Sequence, residues 1–123
     1  MGFEISKKVK VSRQDIDDIM VCALEGGINY WVSSAEVIEA TYYGDYASDQ
    51  ISRGGSLRLT DSEDGTEYIL TLEKFLKGLE LAVNSDYEDD WINGDGTLDC
   101  CNIDAGHADA IIQFALFGEV VYG

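Results

Sequence analysis

Proline is absent from the 123 residues, histidine occurs once, and cysteine occurs three times. A long structureless linker usually carries proline, so one domain over residues 1–123 is expected rather than two joined by a hinge. No apolar run approaches the ~20 residues that cross a bilayer. The first eight residues, Met1 to Lys8, hold no basic stretch followed by an apolar one, so neither a membrane segment nor a signal peptide is expected. Gly2 and Ser6 fit the N-myristoylation spacing, but the match is too short to carry an assignment. Three cysteines, Cys22, Cys100 and Cys101, without a leader predict reduced thiols in a cytoplasm. Neighbouring residues rarely meet disulfide geometry, which disfavours a Cys100–Cys101 bond. There is no CxxC, and four soft zinc ligands are not assembled, so no metal and no cofactor is expected. A nucleophile needs a base, and His107 has no evident partner in the sequence. No catalytic residue is assigned, and the chain reads as a non-enzyme. Paired carboxylates occur everywhere in so acidic a chain and carry no signal for glycoside chemistry.

Positive charge is also scarce. Eight Lys and Arg stand against 24 Asp and Glu, giving a net charge of −16. Four of the eight bases, Lys7, Lys8, Lys10 and Arg13, lie in the first 13 residues, and residues 78–123 carry ten acids and no Lys or Arg. Such a charge repels nucleic acid and anionic lipid, so direct nucleic-acid or membrane binding is disfavoured, and a basic protein surface is the natural partner. The 46% apolar content is too high for a disordered chain.

Residues 3–11 alternate, with Phe3, Ile5, Val9 and Val11 on one side, and read as a half-buried strand. Ser12 with Asp15 makes a capping box for a helix over 13–25, whose inner row is Ile16, Ile19, Met20, Ala23 and Leu24 and which Gly26–Gly27 ends. Cys22 falls on its inner side and reads as a small core residue. Residues 28–31 read as a turn packed on the core, 35–43 as a strand, and 44–55 as a loop. Leu57 and Leu59, the turn 61–66 containing Asp64–Gly65, and Tyr68 and Leu70 predict a hairpin. Thr71 caps a second helix with an inner stripe of Leu72, Phe75, Leu76, Leu79 and Val83. Asp104 caps a third helix with Ala108, Ile111, Ile112, Ala115 and Leu116 inside. Gly118 stops it, and residues 119–123 read as a last short strand. The order predicts an α+β fold, a mostly antiparallel sheet of about four strands with three helices packed against it.

The densest chemistry lies in one loop. Asp86, Glu88, Asp89, Asp90, Asp95 and Asp99 fall within 14 residues that contain no base, with Tyr87 and Trp91 interleaved. Carboxylates spaced along such a loop, with aromatics as anchors, present the charge pattern of nucleic-acid phosphates to a basic groove. The competing reading is a solvated loop that keeps the protein soluble. Asp61, Glu63 and Asp64 at the hairpin tip extend the same surface in this reading. Residues 93–99 resemble the middle of an EF-hand loop around Gly96. However, Trp91 occupies the place of the first Asp and Asn102 that of the bidentate Glu, so calcium is not assigned. Arg53, Gly54 and Gly55, with Arg58, form an alternative site in which backbone amides and a guanidinium cradle a phosphate, although the segment is not a Walker loop. Tyr30–Trp31 and Tyr42–Tyr43 read as core and strand residues rather than a ligand cage.

Five stretches, Asp15–Met20, Ala23–Trp31, Ile51–Gly55, Leu72–Gly78 and Ala115–Gly123, together resemble a family of small acidic proteins of phages and prophages of Gram-positive gut bacteria. The resemblance covers nearly the whole chain and implies no catalytic residue. It implies an accessory phage protein acting in the cytoplasm of a bacterial host. Acidic proteins of that class recur among anti-CRISPR and anti-restriction inhibitors that occupy a nuclease's DNA-binding groove, which is an analogy of class. The expectation is therefore a non-enzymatic, anti-CRISPR type inhibitor that mimics nucleic acid and binds a basic surface on a host defence nuclease. The alternatives are a sponge for a defence signalling nucleotide, using Arg53, Gly54, Gly55 and Arg58, and a phage structural or assembly protein. The sequence leaves self-association open.

Overall fold

The computed structural model describes residues 8–38 and 46–123. Its elements, in chain order, are helix α1 (Arg13–Cys22), strand β1 (Val32–Val37), strands β2 (Leu57–Asp61) and β3 (Glu67–Leu70), and helices α2 (Leu72–Val83) and α3 (Ala105–Phe117). The fold is α+β, with an antiparallel three-stranded sheet of order β1-β2-β3 among the described residues. Among the described residues three strands stand where about four were expected. The terminal strand over 119–123 does not form, because the tail folds onto α3 instead: the Val121 and Tyr122 amides donate to Gln113 Oε1 at 2.7 and 2.8 Å. Residues 3–7 of the expected first strand lie outside the described residues. At 8–11 only a single parallel bridge remains, from Lys10 to Thr97.

Local chemistry sets most of the boundaries. The Ser12 side chain accepts from the Asp15 amide at 3.0 Å and Asp15 Oδ2 accepts from the Ser12 amide at 2.9 Å, so the capping box starts α1 as expected. The helix does not run evenly to residue 25. It widens into a π-helical turn, Ala23–Gly27, closed by the Ile28 amide donating to Ala23 O at 3.0 Å. Ile28 and Trp31 then turn into the core, as expected for residues 28–31. The strand expected at 35–43 begins earlier, at Val32, and its residues from 39 onward, Tyr42 and Tyr43 included, lie outside the described residues. Within the expected loop, residues 47–53 form two short 3-10 turns.

The hairpin has the expected register. Leu57 faces Leu70 and Leu59 faces Tyr68, so alternate residues enter the core while Arg58 and Ile69 face out. The Thr71 hydroxyl accepts from the Lys74 amide at 3.2 Å and starts α2. The inner stripe of α2 differs from the expectation at one place, since Leu76 is 41% exposed. The buried residues are Phe75, Gly78, Leu79 and Ala82, because α2 packs on α3 through Gly78. A Cβ at Gly78 would lie 2.5 Å from the Ala115 amide nitrogen, so the close approach of the two helices needs a residue without a side chain. Gly118, with φ of 75°, ends α3 in the left-handed conformation.

The core runs through Ile19 and Met20 of α1, Leu57 and Leu59 of β2, Phe75 of α2, and Ile111 and Ile112 of α3. Three carboxylates are buried, Asp17, Asp61 and Asp109, and the last two tie distant segments together. Asp109 accepts from the Trp31 indole N–H at 2.8 Å, from the Tyr30 hydroxyl at 2.6 Å and from Gln113 Nε2 at 2.9 Å. Asp61 accepts from the Tyr122 hydroxyl in a short hydrogen bond and from the Glu63 amide at 2.7 Å. These bonds fix the turn 28–31 and the C-terminal tail to α3 and the sheet. The Tyr122 hydroxyl, and secondly the Glu63 amide, hold the Asp61 carboxyl below its ordinary value. A carboxyl held low in the folded state stabilises the fold above its unfolded value and loses that contribution as pH falls through the folded value. Tyr122→Phe removes the main cause, so acid unfolding followed by circular dichroism is expected to begin at a higher pH than in the parent. An unchanged acid midpoint would contradict this coupling.

Candidate functional site

The acidic loop is an ordered structure pinned at its centre. Trp91, read from the sequence as a surface anchor, is 0% exposed. Its ring meets the His107 imidazole edge to face at 5.2 Å, in the first turn of α3. An indole of this size is stabilised by leaving water, and the turns around it supply its backbone partners. Glu88 Oε1 accepts from the Trp91 amide at 3.0 Å, and Trp91 O accepts from the Asp99 amide at 2.7 Å. Glu88 and Asp99 are half-buried, which follows from their work inside the loop. Asp99 Oδ1 accepts from the Cys101 amide at 3.2 Å and caps the turn Cys100–Asn102.

The acids that face out are Asp86, Asp89, Asp90 and Asp95. Asp90 has φ of 55°, a left-handed backbone that Asp tolerates better than most residues. Asp95 closes a tight turn: its Oδ1 accepts from the Thr97 hydroxyl at 2.6 Å and amide at 3.0 Å, and the hydroxyl bond chiefly holds this carboxyl low. That turn is the segment that resembled an EF-hand. Among the described residues, no group of three or more His, Cys, Asp and Glu is gathered so as to hold a metal ion.

Asp61 leaves the proposed surface altogether. It is 3% exposed and turned inward to Tyr122, because the tail supplies a hydroxyl that solvent would otherwise have to replace. Glu63 and Asp64 remain exposed at the hairpin tip, where Asp64 Oδ1 accepts from the Thr66 amide at 2.9 Å.

Two acids read from the sequence as helix caps, Asp15 and Asp104, act on the cysteines as well. Cys100 lies beside α1, its Sγ 3.5 Å from Asp15 Oδ1. Burial, followed by Asp15, Asp18 and Asp99, pushes this thiol up to about 12. Burial, followed by Asp18, Glu25 and Asp104, also raises Cys22. Asp18 acts on both thiols. Among the described residues, no Lys or Arg forms an ion pair with any of these acids or with those of the loop. The cap residue Asp104 meets only His107, at 3.2 Å. Thiolates are the reactive form, so at pH 8 iodoacetamide is expected to alkylate exposed Cys101 first and to spare Cys22 and Cys100 until the protein unfolds. Peptide mass mapping reads this, and equal labelling of Cys100 and Cys101 would contradict it.

Arg53, Gly54, Gly55 and Arg58 do not come together as a cradle. The Arg53, Gly54 and Gly55 amides donate back to Gln50 O, Ile51 O and Gln50 O at 3.2, 3.1 and 2.8 Å. The Arg53 guanidinium pairs with Asp17 at 3.6 Å and with Asp49 at 3.7 Å. Arg58, on β2, reaches Glu67 at 2.7 Å and Glu36 at 3.7 Å across the sheet. A separate cleft of about 310 Å³ is lined by Leu24, Ile28, Val32, Ser34 and Ala47 and includes none of these residues.

His107 completes the cap of α3: its amide donates to Asp104 Oδ1 at 2.8 Å and its Nδ1 accepts from the Asp104 amide at 3.2 Å. Sequence reasoning missed Asp17, Asp109 and Gln113, all buried. A signal for the last two was present. Asp109 and Gln113 stand four residues apart inside an otherwise apolar helical run, the spacing of two polar groups on one buried face.

Comparison of the chain with protein-family models, with curated proteins and with solved structures finds no match. Among the described residues, no helix is long and apolar enough to cross a membrane.

Proposed function

We propose that this chain is a non-enzymatic binding protein whose acidic face docks on a basic surface of another protein. The observation that carries the reading is the set of four exposed loop acids, Asp86, Asp89, Asp90 and Asp95, none of which forms an ion pair with a Lys or Arg among the described residues. Like charges held together cost stability, and an oppositely charged partner recovers that cost on binding. The surface in this reading consists of the exposed loop acids Asp86, Asp89, Asp90 and Asp95, the last of them in the field of Lys10. Glu88, Asp99 and Trp91 give it shape from within.

The finer reading rests on the resemblance to small acidic phage proteins. It makes the partner a host defence nuclease of CRISPR or restriction type, with the chain occupying a groove that otherwise holds nucleic acid. The nucleotide-sponge reading loses support because the amides and guanidinium it needs are already paired within the fold.

The test is capture of bacterial lysate proteins on the immobilised chain, washed at low and at high salt. A nuclease retained at low salt and released at high salt is expected, because pairing of exposed charges is screened. Retention that ignores salt would contradict an electrostatic interface.

A further inference from the structure

We infer that the contact made by the acidic face is centred on two ordered tyrosines, Tyr30 and Tyr87, and that these receive arginine side chains of a basic partner protein. The inference rests on the proposed role of that face. Tyr30 is 55% exposed, Tyr87 44% and Val121 57%. Hydrogen bonds tie Tyr30 and Val121 to one residue of α3: Gln113 Nε2 donates to the Tyr30 hydroxyl at 3.2 Å, and Gln113 Oε1 accepts from the Val121 amide at 2.7 Å. The Tyr87 ring stands edge-on to Phe114, the next residue along, with centroids 6.0 Å apart at 79°. The result is one apolar and aromatic patch at the start of the acidic loop, since Asp86 and Glu88 flank Tyr87 in the chain.

Exposed patches with tyrosine at the centre and charge at the rim are typical of protein interfaces. This one is prepared in advance. The Tyr30 hydroxyl is held by buried Asp109 at 2.6 Å, so the ring is fixed before a partner arrives and little side-chain entropy remains to be lost. Charge selects the occupant. A second copy would bring a net charge of −16 against −16, and nucleic acid and anionic lipid are repelled in the same way. Among cations, arginine fits best. Its planar guanidinium stacks on a tyrosine face and meets a carboxylate with two parallel hydrogen bonds, whereas the lysine ammonium is compact and strongly hydrated.

The test uses two nine-residue peptides, one all arginine and one all lysine, titrated into the full chain at physiological ionic strength. The wild-type chain is expected to bind the arginine peptide on the order of fivefold more tightly than the lysine peptide, the scale of a cation–π contact near the surface. Amide shifts are expected at Tyr30, Tyr87 and Phe114. Tyr87→Ala removes a ring that rests on the edge of Phe114 and is expected to abolish the preference, while Tyr87→Phe keeps it. Equal affinities for the two peptides, or a preference that survives Tyr87→Ala, would overturn the inference and leave the acidic face standing. A dimer that dissociates on Tyr87→Ala would overturn it by assigning the patch to a second copy. If Asp86→Lys with Asp89→Lys leaves both peptide affinities unchanged, the acidic face itself falls, and the inference with it.

Discussion

Asp109→Ala is expected to lower the unfolding free energy by on the order of 3 kcal/mol, a large part of the 5–15 kcal/mol that holds a domain of this kind. The carboxylate receives the Trp31 indole N–H, the Tyr30 hydroxyl and Gln113 Nε2, and both Trp31 and Gln113 are buried. Removing it leaves the Trp31 donor without an acceptor inside the core, at a cost of about 1–3 kcal/mol, and removes a charge-assisted bond to each of the others. Gln113 keeps a bond to Tyr122 O at 3.1 Å and Tyr30 reaches water, so the loss stays below a simple sum. Denaturant midpoints at unchanged slope measure it. A change below about 1 kcal/mol would show that the network adds little beyond geometry.

The combination Asp86→Lys, Asp89→Lys and Asp90→Asn is expected to weaken binding to the captured partner by on the order of 100-fold, mainly through a slower association rate, and to flatten its salt dependence. Among the described residues, no hydrogen bond uses these three carboxylates, so the fold should survive. Asn suits position 90, where φ of 55° would strain a Lys. Glu88 is left in place because its carboxylate receives the Trp91 amide, and changing it would mix a folding effect into a binding measurement. Unchanged affinity would mean that the partner reads another surface.

Features governed by local rules were legible in the sequence. The capping residues Ser12, Thr71 and Asp104, the stop at Gly118, the hairpin register and the core rows of α1 and α3 follow from spacing and hydrogen-bond chemistry within a few residues. What failed depended on distant neighbours. The tail pairs with Gln113 rather than with a strand, and only the packed fold brings those groups together. Leu76 lies outside because Gly78 sets which face of α2 meets α3. In the candidate site, charge located the loop but not the direction of its side chains. Asp61 and Trp91 turned inward because each found a partner far along the chain, Tyr122 and His107 respectively. Asp15 and Asp18 come to act on the Cys100 thiol because Cys100 packs on α1, which no pattern in the sequence announces. The tyrosine patch was hidden for the same reason, since Tyr30, Tyr87 and Val121 meet only through α3.

The most direct test of the proposal that the acidic face takes the place of nucleic acid is competition for a nuclease retained in the lysate capture. A labelled nucleic acid bound to that enzyme is followed by fluorescence anisotropy while the chain is added. The wild-type chain is expected to displace the nucleic acid, with a midpoint that rises as salt is added, and the Asp86→Lys, Asp89→Lys, Asp90→Asn variant is expected to leave it bound. A nuclease that holds both the chain and its nucleic acid at once, or a variant that displaces as well as the wild type, would contradict the account.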